Sequence, residues 1–193
     1  MNTFYSEEEL KELGLKNYGK NVLISRNAII YSPGKLEVGD NVRIDDFCTI
    51  SGNVTLGSYI HIAQFCSLYG GMAGIRMEDF TGLSSKSNIY ATSNDYSGNS
   101  MTNPMVPEKY RTTDVDEPVV LRKHVLVGCM SVILPGVEIG EGSSVGAMSL
   151  CTKSLEAWGV YAGVPARKIK DRSKKLLELE AQMKKDISEQ HTL

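Results

Sequence analysis

Aliphatic residues return at every sixth position along two long stretches of this chain. Val38, Ile44, Ile50, Leu56, Ile62 and Leu68 form one run, and Met77, Leu83 and Ile89 resume it after a shift of three residues. Leu121, Val127, Ile133, Ile139, Val145 and Cys151 form the other, and Ile24 and Ile30 extend the pattern towards the N-terminus. Four residues into each block comes a second column of small or β-branched residues. It holds Val42, Cys48, Val54, Ile60, Cys66 and Met72 in the first stretch, and Val125, Ser131, Val137, Ser143 and Ser149 in the second. An α-helix needs a period near 3.6, and a half-buried strand a period of 2. A period of six marks a structural repeat. Short strands of such a repeat stack on the turn below, and three blocks complete one coil. The pattern therefore predicts an all-β fold, a parallel β-helix of triangular cross-section.

The remaining segments predict what surrounds the coils. Ser6 followed by Glu9 reads as a capping box, with acidic residues in the first helical turn and Gly14 as the stop. This short helix is placed over the open end of the first coil, where strand edges are otherwise unpaired. Gly70, Gly71 and Gly74 mark the register shift and suggest a bulge or small loop. The repeat stops at Tyr90 and resumes near Val119. The intervening stretch is polar and carries Pro104, Pro107 and Pro118, with Tyr96 and Tyr110 among hydrogen-bonding side chains. A structureless excursion of this length points to a functional loop. Pro165 is expected to end strand character. Asp171 or Ser173 can cap a final helix whose stripe of Leu176, Leu179, Met183 and Ile187 docks on the coils or on a neighbouring subunit. The last residues, from Glu189, are expected to fray. The resulting division is an N-terminal cap over 1–20, a β-helix over 21–170 with its loop at 90–118, and a C-terminal helix over 171–193.

Composition narrows the partners. The chain has 193 residues, 41% hydrophobic and 23% charged, with a formal net charge of −2. That balance gives no reason to expect nucleic acid or an anionic membrane. The acidic N-terminus has no signal-peptide pattern, and no apolar run approaches the roughly 18 residues that span a bilayer. Cytoplasm is the expected location. The four cysteines, Cys48, Cys66, Cys129 and Cys151, contain no CxxC pair. Cys48 and Cys66 are spaced to stack in one inward column, and a cytosolic location argues for reduced core thiols.

Blocks such as VGCMSV, IGEGSS and VGAMSL resemble the hexapeptide repeats of left-handed β-helix acyltransferases, and YAGVPARKIK resembles that family's closing segment. The resemblance runs from about Asn21 to Lys170. It implies the left hand of the helix, acetyl-CoA as acyl donor without a metal, a sugar or nucleotide-sugar acceptor, and a homotrimer with active sites between subunits. Its cofactor positions fall on Cys129 and Ala147, where small residues let pantetheine approach the backbone. They continue at Thr152 and Lys153 after the last full coil. Arg167 and Lys170 match basic positions near the adenosine phosphates, where Arg offers a bidentate fork.

The acceptor's proton should leave a mark in the loop. In O-acetyltransferases of this family a histidine there serves as general base, but here Asp95 follows Asn94 at that place and the loop has no histidine. Asp95 itself as base, with its pKa raised by burial, Asp95 orienting an amino-sugar nitrogen, and Asn94–Asp95 as a plain Asx turn all remain open. His124, just after the loop returns, is the second catalytic candidate. Asn94, Tyr96 and His61 are candidates for acceptor contacts; the HIA fragment at His61 resembles a histidine-bearing coil of amino-sugar N-acetyltransferases. His191 in the tail is assigned no role.

The function implied is acetyl transfer to a sugar hydroxyl in surface polysaccharide or glycan biosynthesis. The alternative is N-acetylation of a nucleotide-linked amino sugar. The absence of a preceding nucleotide-binding domain tilts the choice to the hydroxyl. A γ-class carbonic anhydrase needs three zinc-ligating histidines, which this chain cannot supply in suitable places. A non-catalytic β-helix scaffold would not need the loop.

Overall fold

The computed structural model describes residues 3–190, and its architecture follows directly from the six-residue period. Three parallel sheets form the faces of a β-helix. Face one stacks Asn17–Tyr18, Leu36–Val38, Val54–Leu56, Ile75–Met77, Val119–Leu121 and Glu138–Ile139. Face two stacks Val22–Ile24, Val42–Ile44, Ile60–Ile62, Gly82–Leu83, Leu126–Val127, Ser144–Val145 and Gly159–Ala162. Face three stacks Ile29–Ile30, Thr49–Ser51, Ser67–Tyr69, Asn88–Tyr90, Val132–Ile133 and Leu150–Cys151.

The aliphatic column of the sequence divides into three columns in space. Val38, Leu56, Met77, Leu121 and Ile139 are in register on face one. Ile24, Ile44, Ile62, Leu83, Val127 and Val145 are in register on face two. Ile30, Ile50, Leu68, Ile89, Ile133 and Cys151 follow on face three. Apart from the partly buried Ile30, all are buried in one continuous core. Each coil thus covers the apolar residues of its neighbours, and each strand pairs its backbone with the coils above and below. Burying a Leu or Ile side chain contributes about 1.5–3 kcal/mol, so stability is distributed along the whole axis. Hexapeptide blocks turn at residues in the left-handed region: Asn41, Tyr59, Phe80, His124 and Trp158 occupy one corner with φ of 57, 59, 60, 63 and 59°. At this corner Tyr59, Phe80 and His124 stack ring on ring, at 4.8 and 5.0 Å between centroids.

Ser6 and Glu9 form both halves of the capping box at helix α1, Glu7–Glu12, and its Leu10 is buried against the core. All four cysteines are free. Cys48 and Cys66 sit in consecutive coils and donate to the carbonyls of Ala63 and Ser84 at 3.1 and 3.2 Å.

Three details differ from the expected pattern. Met72 leaves the inward column and is 71% exposed, because the inserted turn at Gly70–Gly74 bulges outward before the register resumes. Pro165 interrupts strand character without ending it: Arg167–Asp171 returns antiparallel along Gly159–Ala162 and closes face two. In helix α2, Lys175–Gln190, Leu179 is 64% exposed. Among the described side chains of that helix Glu180 is the buried one, while Leu176, Met183 and Ile187 of the stripe are half-buried, so a charged group docks deepest and the apolar stripe is only partly covered. His191 lies outside the described residues. No helix among the described residues is long and apolar enough to cross a membrane, and no His/Cys/Asp/Glu cluster among them could hold a metal ion.

Candidate active site

The excursion leaves face three after Tyr90 and returns to face one at Val119. At its base Thr92–Ser93 pairs antiparallel with Val115–Asp116. Asp116 accepts hydrogen bonds from the backbone of Met72 and Ala73 at 3.2 and 3.1 Å, pinning the loop to the inserted turn of the coil. Further out, Asp95 accepts from the backbone and hydroxyl of Ser97 at 2.8 and 2.7 Å, and from the backbone of Ser100 at 2.9 Å. Ser100 Oγ in turn accepts from the Thr112 backbone at 2.8 Å, tying the outgoing strand to the returning one.

Between this loop and face three lies a cavity of about 800 Å³. Tyr69 and Tyr90 form its floor, Asn94 and Tyr96 its loop side, and Arg111 with Asp114 its outer wall. The two tyrosines are stacked at 5.1 Å between centroids. Burial, with Tyr69 and Tyr96 close by, raises the Tyr90 phenol above its ordinary range.

The structure does not gather Asp95, His124 and His61 around this cavity. Asp95 forms the Asx-type turn. Its hydrogen bonds from the Ser97 side chain and backbone, outweighing desolvation, pull its carboxyl down to about 2. That is the opposite of the upward shift a carboxylate base needs. His124 is 8% exposed, stacked on Phe80, with Nε2 at 2.7 Å from Glu180 Oε2. Burial pushes the Glu180 carboxyl up, but hydrogen bonds from Lys123, Lys184 and His124 prevail and bring it to about 2. The ring of His124 therefore anchors helix α2. His61 projects from the outside of face two, where Nε2 meets the buried Asp45 at 2.8 Å. Of the residues proposed to contact the acceptor, only Asn94 and Tyr96 line the cavity.

The positions proposed for the cofactor fall in two groups. Cys129 and Ala147 are exposed on successive coils where face two turns into face three, and the Met148 backbone donates to Cys129 O at 2.8 Å. Below them a Cβ on Gly128 would come within 2.5 Å of Ala147 N. Gly128 is thus needed for the close approach of the two coils. Arg167 begins the closing strand beside this exposed pair, with Lys170 farther along it, both exposed. Thr152 and Lys153 are exposed at the opposite edge of face three, after Leu150–Cys151.

No family model matches the chain. It is 43% identical over 184 residues to the dTDP-4-amino-4,6-dideoxy-D-glucose acyltransferase of Escherichia coli, covering 94% of this chain and 95% of the relative. The chain belongs to the hexapeptide-repeat β-helix sugar acyltransferases. The acyltransferase also superposes on a crystal structure of AntD, an N-acyltransferase from Bacillus cereus, in complex with dTDP and 3-hydroxybutyryl-CoA. There the TM-score is 0.95 and identity 52%, over 97% of this chain and 100% of that one. A variant of AntD has been solved with dTDP-4-amino-4,6-dideoxyglucose and coenzyme A, at TM-score 0.93, 52% identity, and coverage of 96% and 99%.

Tyr69, Tyr90 and Arg111 of the acyltransferase were not singled out from the sequence. Tyr69 and Tyr90 are one coil plus the three-residue insertion apart, so the register contained their stacking. Arg111 carried no such signal, because its place depends on how the loop folds back.

Proposed function

We propose that this acyltransferase moves an acyl group from a coenzyme A thioester to the amino group of a nucleotide-linked amino sugar. The observation that carries the amine is the commitment of both candidate bases: Asp95 is a strongly acidic turn-former, and His124 is buried against Glu180. A sugar hydroxyl needs a base to remove its proton as it attacks, whereas a neutral amine is already nucleophilic. The nitrogen attacks the thioester carbon, the C–S bond breaks, and the proton lost by nitrogen balances the thiolate released. The whole-length likeness to an amino-sugar acyltransferase and to AntD supports this reading over the hydroxyl that the sequence favoured.

The open track of Cys129 and Ala147, continued by Arg167 and Lys170, suits the pantetheine and phosphates of the donor. Thr152 and Lys153, at the opposite edge of face three, are proposed to meet the donor held on a neighbouring subunit, and the cavity with Asn94 and Tyr96 receives the acceptor. Closed cyclic symmetry is the usual solution for homo-oligomers, and a homotrimer with the loop reaching a neighbour fits the family pattern. Thiol release should be measured with acetyl-CoA and 3-hydroxybutyryl-CoA, against dTDP-linked amino sugars and against hydroxyl sugars of the same carrier. Turnover of the amino sugars alone is expected. Faster turnover of the hydroxyl sugars would return the reading to O-acyl transfer. Light scattering at micromolar concentration tests the trimer, and a monomer would exclude it.

A further inference from the structure

The outward column of face three that borders the loop contains an aromatic stack with a gap. Ser51, Tyr69 and Tyr90 are in register on successive coils. Tyr69 and Tyr90 stack with an interplanar angle of 19°, and no third ring joins them among the described residues. On the next coil down the side chain is only that of Ser51. Strands lie about 4.8 Å apart, so the hydroxymethyl group leaves a ring-thick slot against the lower face of Tyr69. The corner beside the slot is also bare. Gly52 has φ of 75°, and a Cβ there would come within 2.5 Å of Gly71 N. No larger residue can close the mouth from that side. Ser51, Gly52, Gly71 and Tyr69 all line the cavity under the loop.

Arg111 reaches the same cavity. Its Nε donates to Val106 O at 3.2 Å and its Nη1 to Asp114 Oδ2 at 3.4 Å, which leaves further N–H donors for an anion. It is the one cation among the residues lining this cavity. A flat slot with an aromatic face, and a guanidinium beyond it, match a planar base joined to a diphosphate.

We infer that the slot beneath Tyr69 holds the nucleobase of the acceptor, that Arg111 meets its diphosphate, and that the amino sugar lies towards Asn94 and Tyr96. This rests on the nucleotide-sugar reading above and assigns its subsite. Stacking on one aromatic ring contributes roughly five- to a hundredfold in affinity.

The test fills the gap. Ser51→Tyr continues the tyrosine stack, so the coils should be no less stable, while the base loses its place. The expected result is a rise of roughly ten- to a hundredfold in KM for a dTDP-linked amino sugar, with kcat and the KM for acyl-CoA near wild type. The Ki of free dTDP should rise by the same factor. The amino sugar 1-phosphate, which lacks the base, should be turned over equally by variant and wild type. Tyr69→Leu, which removes the stacking face, should shift KM and Ki in the same direction. Unchanged dTDP Ki in both variants overturns the assignment. So does an equal loss on the amino sugar 1-phosphate, or a changed assembly state of Ser51→Tyr in light scattering, which would give this surface to a contact between copies. A wild-type protein that acylates no nucleotide-linked amino sugar sinks the functional reading, and the subsite with it.

Discussion

The coils and the excursion that interrupts them are held by different forces. In the coils, aliphatic side chains from three faces meet in one core, and backbone groups pair with the coils on either side. In the excursion no residue from 92 to 118 is buried. Its order comes from polar groups: Asp116 at the base, Asp95 just beyond the paired strands, Ser100 across the middle. The first kind of order is spread over many residues and tolerates local change poorly only where a column is broken. The second depends on a few carboxylates and hydroxyls that can be removed one at a time. Scaffold and loop cavity should therefore respond separately to substitution.

The largest effect is expected in the scaffold. Leu68→Ala opens a cavity in a fully buried column of face three, and should destabilise the whole molecule by about 2–5 kcal/mol. Denaturant unfolding reads this directly, and an unmoved midpoint would mean the coil contribution is not distributed as described. Next comes the seam between coil and helix. Glu180→Ala leaves His124 and Lys123 without their shared carboxylate, at a cost of about 1–3 kcal/mol. The loss should appear as fast amide exchange confined to helix α2. Acid should do the same. The Glu180 carboxyl titrates at about 2, below its ordinary 4.5. Its contribution is therefore complete above about pH 4.5 and is lost as the pH falls towards 2. Helix exchange that stays slow through that window would contradict the assignment.

A smaller and local effect is expected in the loop. Asp95→Asn should speed exchange at Ser97 and Ser100 while the coils stay protected. Loss of a general base costs roughly 10²–10⁴ in turnover, and we expect much less than that, chiefly as a higher KM for the acceptor. A fall within the general-base range, with acyl-CoA binding intact, would restore Asp95 as the base. The smallest perturbation separates thiols without altering the fold. Cys129 is exposed, whereas Cys48, Cys66 and Cys151 are buried, and burial pushes the Cys151 thiol up to about 11. Alkylation of the native protein should label Cys129 alone. Protection of that site by acyl-CoA would support its place on the donor track.

Much of the scaffold was legible from the chain because each block repeats the same inward choice. Leu56, Ile62 and Leu68 announce three successive faces through spacing alone. Met72 broke the rule where three extra residues entered, and spacing could not tell which of them would turn outward. The site was far less legible. His124 follows the returning loop in sequence, but it occupies a corner whose partner, Glu180, arrives from the far end of the chain. For Asp95 its neighbours in sequence left base, orienting group and turn all open. Only the hydrogen bonds it accepts from Ser97 and Ser100 show that the turn is formed.

The sequence by itself determined the period, the columns, the capping box at Ser6 and the length of the interruption. These are local or strictly repeating features, in which each residue's environment is set by its place in a block. Only the tertiary structure decided that Tyr69 stacks on Tyr90 above an empty place at Ser51, that Arg111 turns into that cavity, and that Glu180 rather than Leu179 docks the last helix. Each of these depends on distant segments meeting in space. The charge on a carboxylate, or the open face of a ring, acquires its role from whichever group arrives beside it.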